Sequence, residues 1–181
     1  RRQRQMCIRD RYALVIQVGL NLGANAELGK MIKDIRFSSL LLPFFTIIGT
    51  LVFSAAASLL LTSWNIYDCM AVGSGFAYYS LSSLLIVQLK EASAGIEIAS
   101  QLGAIALLAN IIREMLALFG APLYASFFGK FAPVSVAGIN SMDVCLPVIS
   151  RYSGKSIVPV AIIHGIILEI SVPLLISLFC K

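Results

Sequence analysis

Two carboxylates stand where carboxylates are costly. Asp143 lies in an otherwise uncharged apolar run, Phe131 to Ile149, and Glu114 lies in a second run, Ile98 to Gly129. An ionised acid at the centre of a bilayer costs roughly 2.5–3.5 kcal/mol on insertion scales, so it is paired or it handles a substrate or an ion. Arg113 is a poor partner for Glu114, because adjacent helix residues point about 100° apart. A backbone amide or a hydroxyl on a facing helix would be the structural alternative for either acid. Glu169 sits in a third apolar run with His164, the only histidine; Glu169 either snorkels or pairs with His164, although five residues is not a helical contact spacing. His164 is a candidate proton relay, or it makes a single structural hydrogen bond.

Hydroxyls and amides cluster near these charges. Ser74 lies between Gly73 and Gly75, and Tyr78, Tyr79 and Ser80 follow; Asn140 and Ser141 precede Asp143; Asn110 lies four residues before Glu114. These groups line a cavity or mark helix breaks. An intramembrane hydrolase using Ser74 with His164 as base is one alternative. Against it, Val72 occupies the position two before the serine, so the nucleophile-elbow pattern is absent. The four cysteines are widely spaced, without CxxC or Cys/His pairing, and neither a phosphate loop nor HExxH occurs. No metal or cofactor is expected.

The composition sets the medium in which these residues work. Apolar residues make up 59% of the chain and charged residues 13%, against about 25% in soluble domains. The net charge of +5 does not point to nucleic acid, since five of the fourteen basic residues fall within the first eleven positions and the rest are dispersed. The predicted fold is all-α, a polytopic membrane protein with about five spanning or re-entrant elements, two of them broken. Phe37 to Leu61, twenty-five residues without a charge, is the clearest span. Ile98 to about Gly120 is another, ended by Pro122, and Ser156 to Cys180 is a third. The broken elements are Cys69 to Leu89, interrupted at Gly73–Ser80, and Phe131 to Ile149, interrupted around Asn140–Asp143, where a half-helix is expected to begin. Trp64 and Tyr67 suit an interfacial aromatic belt.

Residues 1–11 lack the pattern of a signal peptide and are set apart as a non-native head, with 12–181 as the transmembrane part. The run Tyr12 to Ala24 has only thirteen residues, too few to cross, which predicts that the chain lacks earlier spans. Alternating spans put Lys30, Lys33, Arg36, Lys90, Arg151 and Lys155 on one side and Lys130 and Lys181 on the other, which favours an external C-terminus. A faint internal echo relates Asn110-Ile111-Ile112-Arg113-Glu114 to Gly165-Ile166-Ile167-Leu168-Glu169, each following a Gly-interrupted run.

Four motifs in order give a resemblance: Ser74-Gly75-Phe76-Ala77-Tyr78-Tyr79-Ser80-Leu81-Ser82, Arg113-Glu114, Asn140-Ser141-Met142-Asp143 with Leu146-Pro147, and Val158-Pro159 leading to Ile163-His164-Gly165. Together they resemble the C-terminal part of the LysO lysine-exporter family of bacterial inner membranes. The resemblance implies export of L-lysine and its analogues, two essential intramembrane acids at Glu114 and Asp143, and a periplasmic C-terminus. On this resemblance the family's N-terminal spans are expected to have no counterpart in this chain. A cationic amino acid needs acidic partners for its ammonium groups and a helix N-terminus or amide nest for its carboxylate. Proton antiport is the simplest coupling, with sodium or uniport as alternatives. A membrane scaffold or partner subunit, using the acids as assembly contacts, is the competing class.

Overall fold

The computed structural model describes residues 37–61 and 63–180, with side chains from Leu41 onward. The expectations for residues 1–11 and for the run Tyr12 to Ala24 lie outside the described residues. Seven α-helices follow in order among the described residues: α1 (Phe37–Ala57), α2 (Ile66–Gly73), α3 (Tyr79–Ala94), α4 (Ile96–Phe128), α5 (Ala132–Ala137), α6 (Leu146–Ser153) and α7 (Val158–Phe179). Short 3-10 turns occupy Gly138–Met142 and Lys155–Ile157, and no strand occurs among the described residues.

Among the described residues two stretches, Ile96–Phe128 and Lys155–Phe179, are long and apolar enough to cross a membrane, and Leu41–Ala57 is a shorter apolar helix. Alongside an apolar core, several polar side chains are buried and many large apolar ones are exposed. Thr46, Ser74, Ser82, Asn110, Glu114, Ser141, His164 and Glu169 are buried, whereas Phe53 and Phe119 are each 78% exposed. On α4 the exposed residues Leu108, Ile112, Met115, Phe119 and Leu123 recur at helical spacing and form one apolar stripe. Such a face is suited to lipid.

The two interrupted elements do not cross the bundle; each turns back. Lys90 Nζ, near the end of α3, lies 2.6 Å from Asp68 Oδ1 in the first turn of α2. A continuous helix would separate these residues by about 33 Å, so the break at Ser74–Tyr78 is the tip of a hairpin. Along α4 the same order holds, with Ser83 and Val87 of α3 against Gly103 and the tip against Asn110. The second hairpin enters from the opposite end. Val134 of α5 and Ile149 of α6 share one core cluster with Ala117, Ile157 and Ala161. Its tip, Gly138–Cys145, meets the first tip, where the Ile139 N–H donates to the Phe76 carbonyl at 3.0 Å.

Three helices frame the opposed hairpins. α1 and α7 start at the end where α5 and α6 enter, and α4 runs against them. His164 of α7 meets Thr46 of α1, while Cys180, after α7, lies within electrostatic reach of Lys90 and Asp68.

Several expectations change. α4 runs unbroken through Pro122 for 33 residues, about 50 Å. Proline removes one N–H near the helix end, a loss that such helices tolerate, so it does not terminate α4. α1 stops at Ala57 and not at Leu61, where tight turns at Ser58–Leu61 take over. The half-helix after the second break starts at Leu146, with Cys145 and not Asp143 at its N-cap. Because the first hairpin returns, Lys90 lies at the C-terminal end of the bundle and Lys130 at the other, the reverse of strict alternation.

Candidate functional site

Four half-helix ends converge where the tips meet: the C-termini of α2 and α5 and the N-termini of α3 and α6. Their unsatisfied carbonyls and amides carry partial charges of both signs into the middle of the bundle. Side chains satisfy several of them. The Arg113 guanidinium caps α5, with Nε donating to the Val136 carbonyl at 3.0 Å and Nη2 to the Ser135 carbonyl at 3.1 Å. The same guanidinium lies 5.7 Å from the Phe76 ring centroid.

The first tip is strained and clamped. Phe76 and Ala77 adopt φ of 44° and 72°, left-handed values that disfavour residues with a Cβ by about 1–2 kcal/mol each. Asn110 holds them. Its Oδ1 accepts the Ala77 N–H at 2.7 Å, and its Nδ2 donates to the Ala106 carbonyl at 2.7 Å and to Ser82 Oγ at 3.3 Å. Opposite, Gly138 has φ of 62°, and a methyl group there would run into the Phe76 carbonyl. Gly165 performs a similar service on α7, where a Cβ would come within 2.9 Å of the Ile139 carbonyl. The echo between Asn110–Glu114 and Gly165–Glu169 therefore has a spatial counterpart: each long helix passes a tip at the first residue of its segment.

The acids sit on either side of this crossing. Glu114 is 9% exposed, and Asp143 is exposed in the second tip, between the 3-10 turn and α6. Both lie close enough to the buried Cys145 thiol to act on it electrostatically. Glu169, 7% exposed, stands within electrostatic reach of Tyr78 in the first tip. Each long helix thus turns its glutamate toward the tip of the other hairpin. Among the described residues no ion pair involves Glu114, Asp143 or Glu169.

His164 does not pair with Glu169. Its Nδ1 is 3.2 Å from Ser141 Oγ and its Nε2 is 3.1 Å from Thr46 Oγ1. Ser141 donates its own proton to the Ala161 carbonyl and Thr46 its own to the Leu42 carbonyl, each at 2.9 Å, so both hydroxyls offer lone pairs to the ring and the nitrogen that carries the imidazole proton donates to the hydroxyl beside it. Thr46 in turn touches Ser135 Oγ at 3.1 Å, which ties α1, α5, α7 and the second tip together. The Ser74 hydroxyl is bound to the Met70 carbonyl at 2.7 Å, and both ring nitrogens of His164 are engaged elsewhere, so no Ser74–His164 dyad forms. Asn140 donates weakly, at 3.5 Å, to the Ala77 carbonyl. Tyr79 and Ser80 face outward at the start of α3.

Two cavities border Arg113. One, about 260 Å³, lies between α1, α2 and α4 and reaches from Arg113 to Asp68 and Trp64. The other, about 630 Å³ and more open, extends from Arg113 past Thr46 to Phe45. Thr50, Ser54 and Arg113 belong to both walls. Glu114 and Asp143 line neither, because Arg113 and Glu114 leave α4 on different faces. Sequence reasoning missed Thr46, Thr50 and Ser54, although their four-residue spacing in an otherwise apolar helix marks a hydroxyl stripe. It also missed Asp68 and Lys90, whose opposite charges flank the first interrupted run.

The family model described as lysine exporter LysO matches residues 8–180. A curated relative, "Lysine exporter LysO" of Escherichia coli K12, is 33% identical over 63% of this chain and 35% of its own length. A second, "Putative lysine exporter" of Haemophilus influenzae, is 27% identical over 92% of this chain and 80% of its own. The chain thus spans about a third of the first relative's length. No solved structure matches.

Proposed function

This chain belongs to the lysine exporter LysO family, and on that premise we propose that it exports L-lysine and lysine analogues from the bacterial cytoplasm across the inner membrane. Asp143 and Glu114 are the acids that couple substrate to ion. The observation that supports this most is the convergence of the two hairpin tips at mid-bundle with both carboxylates within electrostatic reach of Cys145 in the second tip. Broken elements entering from opposite ends supply backbone amides and carbonyls at a depth where a bilayer offers no water. The acids supply negative charge for the ammonium groups, and the α6 N-terminus is suited to a carboxylate.

Proton exchange is the coupling we favour, since a carboxylate that releases a cation on protonation needs no further ion site. Among the described residues, Lys130, Arg151 and Lys155 gather at one end and Lys90 at the other, where Asp68 neutralises it. The positive-inside tendency then favours a cytoplasmic first end and a periplasmic C-terminus.

Lysine efflux from loaded vesicles tests the reading. Asp143→Asn keeps shape and hydrogen bonding but removes the titratable charge, and it should abolish efflux while leaving insertion intact; Glu114→Gln should impair it, and Asp143→Glu should keep partial activity. Wild-type rates in Asp143→Asn, with an unchanged pH dependence, would show that this acid is structural.

A further inference from the structure

The cavity between α1, α2 and α4 carries opposite charges along its length. Its inner end has the Arg113 guanidinium, of whose five N–H donors two are bound to the Ser135 and Val136 carbonyls and the others have no hydrogen-bond partner among the described residues. Its outer end has the Asp68 carboxylate, whose side chain is only 12% exposed and is already covered by an ammonium, that of Lys90 at 2.6 Å. The hydroxyls of Thr50 and Ser54 lie on the wall between them. Leu102 and Arg113, which also line it, are separated by a rise of about 16 Å along α4, so the cavity is elongated. Its volume of about 260 Å³ falls just below that of sites for drug-sized ligands, a scale suited to one amino acid.

We propose that this cavity is a second amino-acid site, apart from the one at the hairpin tips, in which Arg113 takes the α-carboxylate and Asp68 takes the side-chain cation of the substrate in place of Lys90. Lys90 is then a tethered competitor. Its ε-ammonium on a four-carbon stem is the same group that the cargo carries, so Asp68 keeps a cationic partner when no substrate is present. Exchange of one ammonium for another leaves the charge count at Asp68 constant, which avoids stranding a buried carboxylate during release. Lipophilic or acidic amino acids cannot make that exchange, which gives the site its selectivity for cations.

This inference rests on the lysine-export reading and deepens it. The test uses the full chain in proteoliposomes for efflux and in detergent for equilibrium binding of radiolabelled lysine, with lysine and norleucine as unlabelled competitors. Norleucine keeps the α-carboxylate and lacks the ε-ammonium, so the ratio of the two competitors in one sample is independent of the folded fraction. Lys90→Met should raise that ratio by about tenfold or more, because a competitor that holds the site most of the time is removed. Lys90→Arg, which keeps a tethered cation, should not give that gain. Asp68→Asn should lower the ratio below that of the wild type. A ratio unmoved by Lys90→Met, in a protein whose wild type exports lysine, overturns the site and leaves the export reading standing. A wild type that neither binds nor exports lysine overturns both.

Discussion

Asn110 is the residue on which the first tip depends, and Asn110→Ala makes that dependence measurable. The substitution strands the Ala77 N–H, which loses its 2.7 Å acceptor in a fully buried position. A buried backbone donor left without a partner costs about 1–3 kcal/mol. Loss of the bond to Ser82 adds roughly 0.6 kcal/mol, the average for interhelical hydrogen bonds in membrane proteins. The sum, about 2–4 kcal/mol, corresponds to a roughly 30- to 1,000-fold rise in the population of the opened tip. Phe76 and Ala77 are already held at left-handed φ, so strain in the tip works in the same direction as the substitution.

The assay is amide hydrogen exchange in detergent micelles, followed by mass spectrometry on a peptide containing Gly73–Ser80. Protection should fall by that factor there, with peptides from the middle of α7 unaffected, and lysine efflux should fall in parallel. Asn110→Asp keeps an acceptor for Ala77 but loses the donors to Ala106 and Ser82, so it should lie between Asn and Ala. Exchange in Asn110→Ala within about threefold of wild type, less than ~0.7 kcal/mol, would refute the clamp.

Gly138→Ala should lower the thermal midpoint in detergent and abolish efflux, because the added methyl meets the Phe76 carbonyl and the φ of 62° disfavours any Cβ; the same substitution at Gly154, where a Cβ meets nothing, isolates the steric part. Thr46→Val leaves His164 Nε2 without its hydroxyl and should destabilise the chain by about 1–3 kcal/mol in thermal unfolding, whereas Thr46→Ser should restore most of it. Equal stability of the Val and Ser variants would show that the hydroxyl is dispensable.

The local features of this fold are legible in the sequence because they follow from chemistry that a sequence displays directly. Gly73, Ser74 and Gly75 announce the first break, and Pro133, Gly138 and Pro147 announce the second, since these residues weaken or end helices wherever the bilayer does not compensate. Pro122 shows the limit of that reasoning. It has the same chemistry, yet α4 continues through it, because a membrane helix tolerates an interior proline where neighbouring helices and local backbone adjustments re-satisfy the freed groups. The acids are legible as charges out of place, but their neighbours are not. Proximity in sequence sets Glu169 beside His164, whereas the fold carries it to the first hairpin, within electrostatic reach of Tyr78. Only the meeting of the two tips decides that neighbour, and no local spacing along α7 encodes it.

Whether an interrupted run crosses the membrane or returns is a tertiary question, and run length is silent on it. Cys69 to Leu89 is long enough to span, and the contact between Asp68 and Lys90 shows that its two ends lie together. The sequence does carry a trace of this, in opposite charges placed at the two edges of one apolar run. A crossing element with those charges would put an aspartate and a lysine at opposite faces of the bilayer, each solvated and neither in need of the other. A returning element brings them into one partly dry corner, where each requires a partner of opposite sign. The pair that reveals the re-entrant path is therefore also the pair that places an ammonium against a carboxylate at the wall of a cavity, so that under the proposed site the topology and the recognition of a cationic amino acid would share that one contact.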